Sequence, residues 1–180
     1  ISGQDGAFLA KHLLDKNYLV YGTSRDKYSS SFSNLQRLNI LEHITIFSMS
    51  IIDYRSVVQL LLELKPDEVY NLSGQTSVGL SYEMPFDTHQ SISFGTLNIL
   101  EIMRLFKFNF KYYNASSSEC FGDTEGLKAD EKSPFRPKSP YGVAKSSAFW
   151  QVSNYRESYD LFACSGILFN HESYFRPSRF

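Results

Sequence analysis

The chain of 180 residues carries 42% hydrophobic and 21% charged residues, which is ordinary for a globular protein and enough for one domain with a sizeable core. A formal net charge of −1, with the basic residues scattered rather than striped, gives no footprint for a nucleic acid or an anionic membrane as partner. There is no apolar run long enough to span a bilayer and no visible signal peptide, and Cys120 and Cys164 lack metal-ligand spacing, so the expectation is a cytoplasmic protein with reduced thiols and no metal site.

Gly3-Gln4-Asp5-Gly6 opens a run to Lys16 with apolar residues at helical spacing. Glycines three apart before a helix permit a tight turn and let backbone N–H groups approach a phosphate at the positive end of the helix dipole. Tyr18-Leu19-Val20-Tyr21-Gly22 reads as a strand, with Arg25 just beyond it. In dinucleotide-binding folds a carboxylate near this strand end holds the ribose 2′-OH, whereas an arginine suits a 2′-phosphate. Arg25 tilts the expectation to NADP, and Asp26 beside it keeps NAD open.

A serine-rich loop over 29–33 and a short helix to Leu38 lead to a second strand over 44–49. Asp53 then caps an apolar helix that Lys65-Pro66 closes. Glu68-Val69-Tyr70-Asn71-Leu72 is a short buried strand running into the polar turn Ser73-Gly74-Gln75-Thr76. Pro85 precedes a long helix ending near Phe106, and residues 110–114 form the next strand, with Ala115 and Ser116 at its end. A helix from Tyr141 to about Tyr159 and a strand over 162–168, ending in Phe169-Asn170-His171-Glu172, complete the pattern.

Strands alternate with long helices, which predicts an α/β Rossmann-type domain, a doubly wound parallel sheet with helices on both faces. The polar motifs fall at carboxyl ends of strands or at helix starts, where open α/β sheets bind ligands. In the order 3-2-1-4-5-6 the first strand lies centrally, yet no strand precedes Ile1. The expectation is therefore that residues 1–180 are an NADP-binding domain cut from a longer chain, with its first strand and a C-terminal substrate part lying outside this sequence.

The chemistry concentrates between Asn114 and Lys145. Ser116-Ser117-Ser118-Glu119 ends in a carboxylate, and Tyr141-Gly142-Val143-Ala144-Lys145 places a phenol and an ammonium on one helix face. A lysine beside a phenol favours the phenolate and lowers a pKa normally near 10. A phenolate near neutral pH takes a proton from an alcohol. Each residue alone has a plainer reading: a surface Tyr/Lys pair, a serine cap, a buried histidine at His171, an Arg25 paired with Asp26 or Glu42. Together, in order and at strand ends, they read as a cleft.

The glycine turn, Asn71-Leu72-Ser73-Gly74-Gln75, the serine cluster and the Tyr141–Lys145 motif resemble the extended short-chain dehydrogenase/reductase family. Gly3-Gln4-Asp5-Gly6, Ser117-Ser118-Glu119, Ser139-Pro140-Tyr141-Gly142-Val143-Ala144-Lys145, Asn154-Tyr155-Arg156-Glu157 and Ile167-Leu168-Phe169-Asn170-His171-Glu172-Ser173 resemble its GDP-mannose 4,6-dehydratases over essentially the whole chain. The resemblance implies a lyase converting GDP-D-mannose to GDP-4-dehydro-6-deoxy-D-mannose by internal hydride transfer through bound NADP and loss of water. It assigns Ser117, Glu119, Tyr141 and Lys145 to catalysis. It puts Ile1, Ser2, Gly3, Gln4, Asp5, Gly6, Arg25, Ser48, Met49, Leu72, Ser73, Gly74, Gln75, Thr76, Lys145, His171 and Arg176 against the cofactor. Ser117, Tyr141 and Asn170 would face the sugar nucleotide, and the full-length protein is expected to be a homo-oligomer. The sequence departs from the family pattern at Asp26, Ser48, Asp87 and Tyr174. A nucleotide-sugar 4-epimerase or reductase would use the same Ser/Tyr/Lys set without needing Glu119, and a non-catalytic NADP sensor would need neither Tyr141 nor Lys145.

Overall fold

The structure, a computed structural model, describes residues 1–176; residues 177–180 of the expected domain lie outside the described part. Helix α1 (Gln4–Asp15) leads to β1 (Tyr21–Ser24), α2 (Ser33–Arg37), β2 (Thr45–Ser48), α3 (Tyr54–Leu64) and β3 (Glu68–Asn71). Then come α4 (Val78–Glu83), α5 (Pro85–His89), α6 (Gly95–Phe106), β4 (Lys111–Ser117), α7 (Pro140–Tyr159) and β5 (Ala163–Leu168). All strand pairing is parallel, β1 with β2 and, in a second sheet, β3-β4-β5. Among the described residues no strand ladder joins β1 to β3. Ile1 lies beside β1, its backbone nitrogen donating to the Thr23 carbonyl at 3.0 Å.

Local chemistry explains most boundaries. Asp53 accepts from the Arg55 N–H and caps α3 as expected, and Lys65 ends it in a left-handed conformation. Ser139 caps α7 by accepting from the Gly142 N–H, with Pro140 in the first turn. The first strand starts later than the sequence indicates. Lys16, Asn17 and Tyr18 donate back to the Leu13 and Leu14 carbonyls, and Asn17 takes a positive φ of 63°, so Tyr18 belongs to the helix exit and the ladder begins only at Tyr21. The long helix expected from Pro85 to Phe106 is interrupted by a π-helical stretch, Gln90–Phe94. Thr88 Oγ1 donates to the Met84 carbonyl, and Ser91 Oγ to those of Asp87 and Thr88, competing for the carbonyls of this turn.

Two apolar clusters hold the sheets. One joins Ala7 and Ala10 of α1 to Leu35 of α2, Ile40 and Ile44. The other packs Val57 and Leu61 of α3, Leu100, Ile102 and Met103 of α6 and Val152 of α7 against Tyr112 of β4 and Ala163 of β5. Each such fully buried aliphatic side chain contributes about 1.5–3 kcal/mol by leaving water. The second cluster therefore fixes α7 rigidly over β4. A buried polar set lies in the same sheet: Asn71 Nδ2 donates to Tyr112 Oη (3.0 Å) and Asn114 Oδ1 (3.2 Å), and Thr96 Oγ1 also donates to Asn114 Oδ1. With its amide hydrogens and carbonyls matched, this set pins the register of β3 and β4 without an orphaned group. No described helix is long and apolar enough to cross a membrane.

Candidate active site

Strand β4 is longer than expected, because Ala115, Ser116 and Ser117 are not an end but ladder residues, with Ser116 opposite Ile167 and Ser117 opposite Leu168 of β5. Small side chains fit there because the strand is covered: Ala115, Ser116 and Ser117 are all buried. The chain then turns through a 3₁₀ segment, Ser118–Cys120, whose start Ser117 caps by accepting from the Glu119 N–H at 3.3 Å. Ser117 thus does serve as a cap, yet its hydroxyl also lies close enough to the Tyr141 phenol to favour its ionised form.

Helix α7 approaches this turn closely. A Cβ added at Gly142 would lie 2.7 Å from the Glu119 carbonyl oxygen, so only glycine lets the first turn of α7 meet the turn after β4. That approach brings Tyr141 beside Ser117 and within the electrostatic reach of Glu119. One turn further on, Lys145 is buried and donates from Nζ to the Ala115 carbonyl at 2.7 Å, with Nζ 5.8 Å from the Tyr141 ring centroid. Ser117, Glu119, Tyr141 and Lys145, drawn from β4, the 3₁₀ turn after it and α7, therefore share one place at the carboxyl end of β4.

The electrostatics depart from the sequence expectation. Burial pushes the Tyr141 phenol up; the Ser117 hydroxyl pulls it back, and Cys120 and Glu119 push it further up. Lysine does not lower it in this arrangement. Desolvation instead brings Lys145 itself down to about 8, against a small opposing effect of Cys120. The physical reason is shared burial: each side chain is disfavoured in its charged form by the same dry surroundings.

The expected cofactor residues divide into three groups. At the start of α1, Gly3 is the N-cap and supplies no side-chain cap, and a Cβ on Gly6 would lie 2.8 Å from the Ile1 carbonyl oxygen. Ser2 joins Ser24, Arg25, Asp26, Ser29 and Ser30 in lining a cavity of about 500 Å³. Arg25 is exposed and, among the described residues, forms an ion pair with neither Asp26 nor Glu42; Asp26 accepts from the Tyr28 N–H instead at 2.8 Å. Close by, Ser48 Oγ accepts from the Lys27 N–H and the Met49 N–H donates to the Ser24 carbonyl.

The second group lies after β3. Gly74 takes a φ of 119°, which glycine alone adopts freely, and turns Leu72, Ser73, Gln75 and Thr76 over the strand end. Gln75 is spent on that loop, donating from Nε2 to the Ser77 carbonyl and Thr88 Oγ1. Asn170, His171 and Arg176 form the third group, beyond β5. Asn170 and His171 are exposed, and His171 faces Asp5 of α1, so this segment meets the glycine turn rather than the Tyr141 pair.

Sequence reasoning missed three contributors here. They are the Ala115 carbonyl that anchors Lys145, the contact that makes Gly142 obligatory, and Cys120, fully buried with Sγ 3.5 Å from Ser116 Oγ. Only the capping signature Ser139-Pro140 could have announced how α7 is aimed.

Parallel strands joined by helices, with a Ser/Tyr/Lys set at a strand's carboxyl end, define a Rossmann-type domain of the short-chain dehydrogenase/reductase kind. Two solved structures share its fold. The UDP-glucose 4-epimerase of Thermus thermophilus, in complex with NAD, has a TM-score of 0.79 at 28% identity, covering 91% of this chain and 51% of that one. The dTDP-glucose 4,6-dehydratase of Bacillus anthracis, also with NAD, reaches 0.84 at 18% identity over 99% of this chain and 56% of that one, a likeness of fold alone. The chain belongs to the GDP-mannose 4,6 dehydratase family, whose model matches residues 1–180. Vibrio cholerae GDP-mannose 4,6-dehydratase is 43% identical over 182 residues, covering 96% of this chain and 48% of that protein. The chain spans about half the length of the curated relatives it matches.

Proposed function

We propose that the protein to which this chain belongs is a hydro-lyase that takes GDP-D-mannose to GDP-4-dehydro-6-deoxy-D-mannose with NADP as a recycled cofactor. The observation that carries this reading is the meeting of Ser117, Glu119, Tyr141 and Lys145 at the end of β4, in a chain of this family. A nicotinamide cofactor is supported by the Thermus thermophilus neighbour solved with NAD and by the fit of the residues themselves. The start of α1 offers uncapped N–H groups at the positive end of its dipole, the close approach at Gly6 keeps that turn tight, and the adjoining cavity carries Ser2 and Arg25. Held by these residues, the cofactor would supply a reversible two-electron sink.

The chain's own groups do the proton work. Tyr141 takes the C4 hydroxyl proton, and Ser117 holds the C4 oxygen in line with it. A ketone at C4 acidifies the C5 proton, which Glu119 takes and then delivers to the C6 hydroxyl, so that the C6–O bond breaks and water leaves; the hydride given up by C4 would then return to C6 and a solvent-exchanged proton would add at C5, completing the 6-deoxy product. Lys145, held by Ala115, keeps a positive charge beneath the phenol below about pH 8. The deciding assay incubates the full-length protein with GDP-mannose, UDP-glucose and dTDP-glucose. Loss of 18 mass units, about one water, from GDP-mannose alone is the expected result; isomerisation without mass change would replace this reading by a 4-epimerase.

Preference for NADP rests on Arg25. It stands just past β1, forms no ion pair with a carboxylate among the described residues, and lines the cavity that begins at Ser2. Arg25→Ala in the full-length protein is expected to weaken NADP binding about 10-fold or more, the scale of a charge-assisted hydrogen bond, and to leave NAD nearly unchanged. Equal losses for the two cofactors on titration would remove Arg25 from 2′-phosphate recognition.

A further inference from the structure

The segment after β5 folds back onto the first turn of α1 through a set of side-chain contacts. Gln4 Oε1 accepts from Ser173 Oγ at 2.7 Å, and its Nε2 donates to the His171 carbonyl at 3.4 Å. Phe8 stacks on Phe175 with ring centroids 4.9 Å apart, and the Arg37 guanidinium lies 4.7 Å over the other aromatic partner, Phe175. His171 completes the set. Its Nδ1 is 2.7 Å from the Phe169 carbonyl oxygen and its Nε2 is 2.8 Å from Asp5 Oδ1.

Both partners of the imidazole are acceptors: a carbonyl and a carboxylate offer lone pairs and no proton. A neutral imidazole has one N–H and can satisfy only one of them. The doubly protonated ring satisfies both. We infer that Asp5 is a positioning residue which holds His171 as an imidazolium, and that this charged clasp docks residues 169–176 on the start of α1 and opens when His171 loses its proton.

The charges around the ring agree. Asp5 faces it from α1, and from its own segment Arg176 opposes it while donating to Glu172 Oε1 at 2.5 Å and to the His171 carbonyl at 3.0 Å. The Phe169 carbonyl and then Asp5 raise the His171 pKa above its ordinary value, against desolvation and Arg176. A raised folded-state value means the clasp is complete below the unfolded value and is lost as pH rises through the folded one. The ring and carboxylate are half exposed, so the pair alone is worth little; it acts because Gln4, Phe8 and Arg37 already hold the same segment.

The inference rests on these contacts alone and stands or falls separately from the proposed reaction. Full-length protein with labelled histidine would be titrated by NMR, and backbone hydrogen exchange of Phe175 and Arg176 followed with pH after correction for intrinsic rates. His171 is expected to titrate above an ordinary histidine, and exchange in the segment to accelerate through that midpoint. Asp5→Asn should lower the His171 midpoint and move the acceleration with it. His171→Gln, which cannot titrate, should make the exchange independent of pH. The same midpoint in Asp5→Asn, or a pH-dependent exchange that survives in His171→Gln, would overturn the clasp.

Discussion

Tyr141→Phe in the full-length protein is expected to lower kcat on GDP-mannose by about 10²–10⁴, with substrate and cofactor still bound, because the change removes one oxygen and its proton and leaves the ring in place. The ring packs with Ile92, Ala144 and Ala148, so folding has no reason to fail. The companion change, Lys145→Met, separates two roles. If the ammonium acts electrostatically during turnover, it favours ionisation of a phenol that burial otherwise pushes up. Losing it should raise the phenol further and shift the acidic limb of the kcat profile to higher pH. As a mere strut bonded to the Ala115 carbonyl, its loss would lower kcat at every pH and leave the limb where it was. The wild-type profile should also fall as pH rises past about 8, where Lys145 gives up its charge. Near-normal kcat in Tyr141→Phe would remove the phenol as the group that takes the C4 proton.

The site that these variants probe was only partly written in local sequence. Asp53 and Lys65-Pro66 announce helix ends because a cap involves residues two or three apart, and the structure places those ends where the sequence does. Ser117 and Glu119 were legible as a pair, but whether their backbone runs extended or turned was not. The ladder to Leu168 and the cap on the Glu119 N–H, one of them a contact from far along the chain, decide it. The pairing of Lys145 with Tyr141 was legible as a helical spacing, yet its electrostatic sense was not, since burial is a property of the packed core around α7. The docking of residues 171–175 onto Gln4, Asp5 and Phe8 leaves no local signature at all, because the partners lie about 166 residues apart. The two sheets show the same division: the alternation of strand and helix was plain, and the hydrogen-bond ladders that group β1 with β2 and β3 with β4 and β5 were not.

Glu119→Gln is the change that separates dehydration from epimerisation. An epimerase needs the C4 proton moved and nothing at C5, so it would tolerate an amide here; elimination needs a group that takes a proton from C5 and gives one to the C6 oxygen. Glu119 sits on the turn directly after Ser117, partly exposed, with its backbone carbonyl against Gly142 and its charge felt by Tyr141. Glutamine keeps the length and both hydrogen-bonding atoms, so the turn and its cap on Ser117 Oγ should persist. What is lost is proton exchange. The full-length variant is therefore expected to bind GDP-mannose as tightly as the wild type while forming 6-deoxy product about 10²–10⁴-fold more slowly. In heavy water the wild type should release product carrying solvent deuterium at C5, and the variant should slow that incorporation in step with water loss. A parallel Glu119→Asp tests reach: a carboxylate one methylene short should recover part of the rate if proton transfer is the role, and none if the side chain only shapes the turn. Dehydration at a near-normal rate in Glu119→Gln would take Glu119 out of the chemistry, and the choice between lyase and epimerase would then rest on the product assay and on family membership alone.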